Sequence, residues 1–230
     1  MCSYVLRSNN ETYTPLFYIP SPMLNEYILS HITPEHPYLY KLYRATNTQL
    51  IRPRMASGHL QGQLLKMLTE LINPQTVVEI GTYSGYSALS MAQGMQPGSR
   101  IVTFEINDEQ EDFTRPWLEN SPFPPKIDMV VGDIFKLLPP MNLTIDLAFI
   151  DANKRTYAEY YELIMRYLRV GGYILADNTL WDGHVVESEY DNDPQTIGIK
   201  RFNDLVAQDP RVETFIFPLR DGLTLVKRIQ

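Results

Sequence analysis

The sequence predicts an α/β protein with a doubly wound, mostly parallel sheet of seven strands that includes a terminal antiparallel strand. Between residues 59 and 208, short apolar runs alternate with segments of helical periodicity. A helix between two strands returns the chain to the same end of the sheet, so such strands run parallel. The last two apolar runs are separated only by a short segment around Arg220-Asp221-Gly222. That segment is too short for a crossover, so these two strands form an antiparallel hairpin.

The predicted elements follow one another in a regular order. Strands are predicted over residues 76–81, 100–106, 126–131, 145–150, 172–176, 212–219 and 223–229. Helices are predicted over residues 59–72, 84–95, 107–120, 133–138, 157–168 and 196–208. Asn107 is expected to cap the third of these helices, because its side chain can accept a hydrogen bond from a free backbone N–H.

The first 55 residues differ from the rest. They are rich in Tyr and Pro, and they show short helical patterns at residues 23–32 and 38–46 without a strand signal. We therefore predict a helical, aromatic-rich N-terminal extension (residues 1–55) on a core of residues 56–230, together forming one domain of 230 residues. The extension is interpreted as structural cover or a dimer surface, with a substrate lid as the alternative.

Composition limits the class of partner. No run of 18 apolar residues occurs, and the N-terminus lacks a basic-then-apolar signal pattern, so we expect a cytoplasmic protein that does not bind membranes. Cys2 is the single cysteine, which excludes an internal disulfide and a cysteine-based metal site. The net charge of −7 argues against nucleic-acid binding, which requires clustered Lys and Arg. A small-molecule substrate is the expected partner.

A glycine-containing turn follows the first predicted strand, in the segment VVEIGTYSGYS. A dinucleotide-binding turn has glycine where this chain has Tyr83, because backbone must approach the pyrophosphate there. The bulky Tyr83 therefore disfavours NAD or FAD. Glu105 ends the second strand, where a carboxylate can accept hydrogen bonds from the ribose of an adenosine cofactor. Glu79 lies inside an apolar strand and needs either a cationic ligand or a local Arg or Lys.

Oxygen-bearing side chains follow two later strands. Asp151 ends the fourth strand, and Asp177 and Asn178 end the fifth. Ligands of open α/β sheets bind beyond the carboxyl ends of the strands, so we expect these side chains to share one rim. Carboxylate and amide oxygens suit Mg²⁺, with Mn²⁺ or Ca²⁺ as alternatives. The competing interpretation is that Asp and Asn here only form turns or helix caps.

Five separated segments carry a family resemblance: MASGHLQGQLL, VVEIGTYSGYSALSMA, IDLAFIDANKRTYAEYY, GGYILADNTLWDG and RDGLTLVKR. They resemble the cation-dependent O-methyltransferases, the group that includes caffeoyl-CoA and catechol O-methyltransferases, and most closely the bacterial small-molecule members. The resemblance implies that Asp151, Asp177 and Asn178 bind Mg²⁺ and that Lys154 is the general base, with Asp151 also catalytic. It implies S-adenosylmethionine contacts at Ser57, Glu79, Gly81, Thr82, Tyr83, Ser87, Glu105, Asp133, Ile134 and Asp151.

The resemblance further implies methyl transfer to one hydroxyl of a catechol-type phenolic substrate, and a homodimer. The chain departs from the common bacterial pattern at Asn153, where an Asp is usual, so one negative charge is missing beside the expected metal. Acceptor specificity is expected in the N-terminal aromatic segment and in the loop from Trp181 to Ile197. Two alternatives stay open: a dehydrogenase of the Rossmann class, and a binding module that keeps the fold without catalysis.

Overall fold

The centre of the molecule is one seven-stranded sheet, seen in a computed structural model that describes residues 22–230. The strand order is β3-β2-β1-β4-β5-β7-β6. The strands are β1 (Thr76–Ile80), β2 (Arg100–Glu105), β3 (Lys126–Val131), β4 (Ile145–Ile150), β5 (Leu168–Asp177), β6 (Val212–Phe217) and β7 (Leu223–Arg228). Neighbours among β1 to β5 pair in parallel, and β7 pairs antiparallel with both β5 and β6. The predicted fold class is confirmed, with the antiparallel strand inserted between β5 and β6.

Helices cover both faces of this sheet, as a doubly wound fold requires. They are α1 (Pro22–Ser30), α2 (Pro37–Gln49), α3 (Gly58–Ile72), α4 (Tyr86–Ala92), α5 (Glu111–Glu119), α6 (Ile134–Leu137), α7 (Tyr157–Met165) and α8 (Pro194–Gln208). One core cluster joins α6, α7 and α8 to the sheet, and a second joins α2, α3, α4 and α5 to it. In residues 22–230, no helix is both long and apolar enough to cross a membrane.

The fifth strand differs most from the prediction. The helix predicted to reach residue 168 ends at Met165, and β5 already begins at Leu168. Leu168 pairs with Ile145, and the register then shifts before Leu147 pairs with Tyr173. This irregularity places exposed Arg169 and the following glycines inside the strand. A search for apolar runs misses such a start, because Arg169 and Gly171 interrupt the apolar residues there.

The described part of the N-terminal extension is helical, as predicted, and the first 21 residues of that prediction lie outside the described residues. Helix α2 packs onto the core through buried Leu39 and Leu42. The Tyr38 hydroxyl donates a hydrogen bond to the carbonyl of Trp117 at 2.7 Å. At the end of α2 and just after it, Gln49, Leu50, Ile51, Arg52 and Met55 line a cavity together with residues at the carboxyl ends of the strands. The described part of the extension therefore covers the core and also forms part of the wall of this cavity.

Candidate active site

Two adjoining cavities open at the carboxyl ends of β1, β4 and β5, with volumes of about 890 and 460 Å³. They share the wall formed by Gly81, Tyr83 and Asp151. The larger one is lined by the predicted cofactor residues Gly81, Tyr83, Glu105, Asp133, Ile134 and Asp151. The smaller one is lined by the predicted residues Ser57, Gly81, Thr82, Tyr83, Ser87, Asp151, Lys154, Asp177 and Asn178. The structure thus brings the predicted residues together, except Glu79, which lines neither cavity.

The turn after β1 requires glycine at its first position. Gly81 has a φ of 98°, in the left-handed region that side chains disfavour. A Cβ atom there would lie 2.0 Å from the carbonyl oxygen of Asp151. The backbone N–H of Asp151 in turn donates to the carbonyl of Ile80 at 2.9 Å. The ends of β1 and β4 are therefore in direct backbone contact, and this contact sets the shared wall of the two cavities.

Glu105 is oriented by the backbone before any ligand arrives. Its two carboxylate oxygens accept hydrogen bonds from the backbone N–H groups of Tyr83 at 2.8 Å and Asn107 at 2.9 Å. Tyr83 itself has a φ of 44°, and its carbonyl accepts from the Thr114 hydroxyl. Each oxygen of Glu105 keeps a further lone pair. A carboxylate held in this way can accept from a pair of hydroxyls in the larger cavity.

Glu79 is fully buried beneath the cavity wall. Ser87 and Thr103 donate their hydroxyls to its two oxygens, each at 2.5 Å, and Thr103 also contacts Thr82 at 2.6 Å. Burial raises the pKa of Glu79 to about 8, and the two hydroxyls oppose that shift. No Arg or Lys of the described residues pairs with it. Its role as a direct cofactor contact stays a prediction, since Ser87 lies between it and the cavity.

The three predicted metal ligands line the smaller cavity together. Asp177 is 4% exposed, and burial followed by the charge of Asp151 raises the pKa of Asp177. The Asn178 amide nitrogen faces Asp221 at 3.4 Å, which leaves the amide oxygen available to a cation. Two carboxylates and one amide oxygen fit a hard divalent cation. Among residues 22–230, no cluster of three or more His, Cys, Asp or Glu side chains could hold a metal, so a site built on Asp151 and Asp177 would use Asn178 as its third side-chain ligand.

Lys154 is buried against the same wall. Its Nζ lies 2.7 Å from Oδ1 of Asp151 and 2.6 Å from the hydroxyl of Tyr157. The Tyr157 hydroxyl faces the carbonyls of Asp177 at 2.9 Å and Ile150 at 3.2 Å. Tyr157 has one proton to donate, so a carbonyl accepts it while the oxygen accepts from Lys154. Lys154 thus donates to two fixed partners, and its third direction is left for a ligand.

Backbone strain concentrates at this cavity. Seven non-glycine residues within 22–230 have positive φ. Five of them line the smaller cavity, namely Tyr83, Asn178, Trp181, Asp182 and Arg220. Asn tolerates the left-handed region, whereas Trp and Arg seldom adopt it. Strain of this kind persists where surrounding contacts hold it, and it clusters at binding and catalytic sites.

Asn153 has a local structural role. Its Oδ1 accepts a hydrogen bond from the backbone N–H of Arg155 at 3.2 Å, which caps the single helical turn Lys154–Thr156. An Asp side chain would make the same cap, so the missing charge leaves the fold of this turn unchanged. Asn153 also lines the larger cavity, and its effect on a bound cation stays a prediction.

Four further polar side chains support the site and were missed in the sequence: Gln61, Thr103, Tyr157 and Arg220. Tyr157 lies three residues after Lys154, so helical spacing could have indicated their contact. Gln61 interrupts the apolar side of α3, which is a weaker signal. The partners of Thr103 and Arg220 come from distant segments, and no local pattern indicates them. His184, within the Trp181 to Ile197 loop where acceptor specificity is expected, stacks on Tyr190 with ring centres 3.5 Å apart.

Comparison with known proteins agrees with this geometry. A family model described as O-methyltransferase matches residues 29–229. Caffeoyl-CoA O-methyltransferase of Petroselinum crispum is 32% identical over 92% of this chain and 92% of its own length. Tricin synthase 2 of Oryza sativa subsp. japonica is 31% identical over 94% of this chain and 78% of its own.

Solved structures of similar proteins show the same architecture. The O-methyltransferase from Bacillus cereus, in complex with SAH, is 26% identical with a TM-score of 0.82, covering 90% of this chain and 97% of that one. The O-methyltransferase TomG from Streptomyces achromogenes, in complex with SAM, is 25% identical with a TM-score of 0.81, covering 90% and 96%. The family resemblance seen in the sequence is thereby confirmed, and the dehydrogenase alternative is set aside. The chain belongs to the O-methyltransferase family of enzymes.

Proposed function

We propose that this enzyme transfers the methyl group of S-adenosylmethionine to one hydroxyl of a catechol-type aromatic, with a divalent cation, preferably Mg²⁺, in the site. The observation that carries the proposal is the shared wall of the two cavities. Asp151 lies on that wall, between the larger cavity and the smaller cavity that Lys154, Asp177 and Asn178 line. Two relatives are named for the acceptor caffeoyl-CoA, whose caffeoyl group carries two vicinal hydroxyls on an aromatic ring. Their names support the proposal.

The larger cavity suits the nucleoside part of the methyl donor. Glu105 offers two oriented oxygens to the ribose hydroxyls. Asp133 and Ile134 line the part of the cavity beyond Gly132, where we place the adenine. The bulky Tyr83 in the turn is compatible with a donor that carries no phosphates, because no pyrophosphate has to approach the backbone there.

The smaller cavity suits the cation and the acceptor. Asp151, Asp177 and Asn178 would hold the cation, since all three residues line the smaller cavity and their side-chain oxygens match the ligands that hard cations prefer. When bound, a hard dication draws vicinal hydroxyls into its coordination sphere and lowers the pKa of the one that reacts. These residues exclude bulk water from one side of the acceptor, because Asp177 and Lys154 are themselves buried.

Lys154 is the candidate general base. Asp151 and Tyr157 hold its amine in place, and the acceptor hydroxyl would approach from the third direction. In the proposed reaction, the hydroxyl proton passes to Lys154 and the oxygen attacks the methyl carbon. A new C–O bond forms while the C–S bond breaks, and S-adenosylhomocysteine leaves with the sulfonium charge neutralised. The pre-set position of Nζ lowers the entropic cost of this step.

An acceptor screen tests the proposal. The full chain is incubated with methyl-labelled S-adenosylmethionine, Mg²⁺ and a panel of catechols, each matched by the corresponding monohydroxy compound. We expect label in the catechols and at least about tenfold less in the monohydroxy partners, because a single hydroxyl cannot bind through two oxygens. Failure to methylate any catechol, together with binding of the donor, would favour the non-catalytic alternative. The homodimer expected from the resemblance stays a prediction, which the mass in solution tests.

A further inference from the structure

A buried glutamine on α3 connects the predicted cation site to the β6–β7 hairpin. Gln61 is 1% exposed, and its Nε2 donates to Oδ2 of Asp177 at 2.7 Å. Its Oε1 accepts from Nη1 of Arg220 at 2.8 Å. Because one end of the amide meets an acceptor and the other a donor, only one orientation of the amide satisfies both. Gln61 therefore presents a fixed N–H to Asp177.

Arg220 occupies a backbone position that disfavours its residue type. Its φ is 51°, in the left-handed region where glycine is preferred and other residues are strained. The guanidinium also donates to the carbonyl of Ser57. One side chain thus joins the hairpin, the start of α3 and the loop before α3. The contacts of the guanidinium offset the strain that its backbone carries.

Both oxygens of Asp177 are consequently set by neighbours. Oδ1 accepts from the backbone N–H of Asn178 at 2.9 Å, and Oδ2 accepts from Gln61. The two donors fix the plane of the carboxylate and leave one lone pair on each oxygen. Groups that orient a metal ligand in this way strengthen binding, and their loss costs roughly 10 to 100-fold in affinity in known sites.

We propose that Gln61 and Arg220 are positioning residues that hold Asp177 in the geometry that binds the divalent cation. The inference rests on the proposed cation site and deepens it. For the removal of Arg220, it predicts a change in cation affinity opposite to the change expected from the charge of Arg220 alone. If Arg220 were only a positive charge near the site, its removal would strengthen cation binding. If it orients Asp177 through Gln61, its removal weakens cation binding.

The test is Mn²⁺ binding by titration calorimetry on the full chain without acceptor. Three variants are compared with the unchanged protein: Gln61→Met, Arg220→Gly and Thr69→Val. Thr69 is a matched control, because it is equally buried on α3 and its hydroxyl bonds only the carbonyl of Leu65. We expect Gln61→Met to weaken binding at least about tenfold, Arg220→Gly to weaken it severalfold, and Thr69→Val to leave it within twofold.

The outcomes separate this inference from the proposed function. Unchanged or tighter Mn²⁺ binding by both Arg220→Gly and Gln61→Met, with normal binding by the unchanged protein, would overturn the positioning role alone. A lack of Mn²⁺ binding by the unchanged protein would overturn the cation site and the positioning role together. Arg220→Gly relieves backbone strain, so it keeps the test available if Gln61→Met does not fold.

Discussion

At the scale of single residues, the site combines ligand-facing groups with buried groups that hold them. Asp151 faces both cavities while bonding Lys154 at 2.7 Å. Glu79 faces no cavity and instead bonds two hydroxyls. The two carboxylates therefore have separable roles. Asp151 is accessible to a ligand in either cavity, whereas Glu79 holds the side chains of Ser87 and Thr103 behind the wall.

Glu79→Gln should remove a pH dependence of stability. The folded-state pKa of Glu79 is raised from 4.5 to about 8 by burial, so the folded state binds more protons than the unfolded state between these values. Stability therefore falls as pH rises through this window. The neutral Gln can still bond Ser87 and Thr103, because hydroxyls both donate and accept.

Urea unfolding at pH 5 and pH 8 measures the effect. From pH 5 to pH 8, the free energy of unfolding of the unchanged protein should fall by at least about 1 kcal/mol more than that of Glu79→Gln. This difference is the equivalent of about one pKa unit. Parallel losses in both proteins would show that Glu79 ionises in the folded state as easily as in the unfolded chain, which would contradict the account of its environment.

Asp151→Asn should abolish most of the turnover. The substitution removes the charge beside Lys154 and one proposed cation ligand, so we expect a fall in kcat/KM of at least about 100-fold, or about 2.7 kcal/mol. Asp146→Asn is the matched control at the other end of β4, where Asp146 accepts from the backbone of Gln75 and Thr76. It should lower stability and leave turnover within severalfold. Equal losses of turnover in both variants would refute a specific role for Asp151.

At the scale of elements, the site is made by strand ends in contact. Ile80 and Gly81, at the end of β1, contact Asp151, at the end of β4, through backbone atoms. The Tyr157 hydroxyl of α7 joins the end of β4 to the end of β5 through the carbonyls of Ile150 and Asp177. The relative positions of the proposed ligands thus depend on the sheet and on α7, which are rigid, more than on loops.

Gly81→Ala should disrupt this junction. The added Cβ would lie 2.0 Å from a backbone oxygen, which forces β1 and β4 apart. Gly98→Ala is the control, because Gly98 has a similar φ of 87° and nothing within 4 Å of the added atom. We expect at least about 2 kcal/mol greater loss of stability for Gly81→Ala in thermal unfolding. Similar losses for the two variants would mean that conformational strain, and not the close approach, decides the effect.

At the scale of the whole molecule, the pattern of the sequence predicted the architecture but only part of the site. The seven strands were predictable because six are short, mostly apolar segments, and the start of β5 was missed because Arg169 and Gly171 interrupt its apolar residues. Asp151, Asp177 and Asn178 were predictable because ligands bind at strand ends. Gln61 was not, since its partners Asp177 and Arg220 lie 116 and 159 residues away. Only the packed fold brings these groups together.

The proposed methyl transfer requires a cation bound by the oxygens of Asp151, Asp177 and Asn178. The direct measurement is the initial rate of methyl transfer to the best catechol acceptor, first with EDTA and then after Mg²⁺ is restored in excess. The account predicts loss of at least about 99% of the rate in chelator, equivalent to about 2.7 kcal/mol, and recovery on addition of Mg²⁺. A rate in chelator equal to the rate with Mg²⁺ would contradict it.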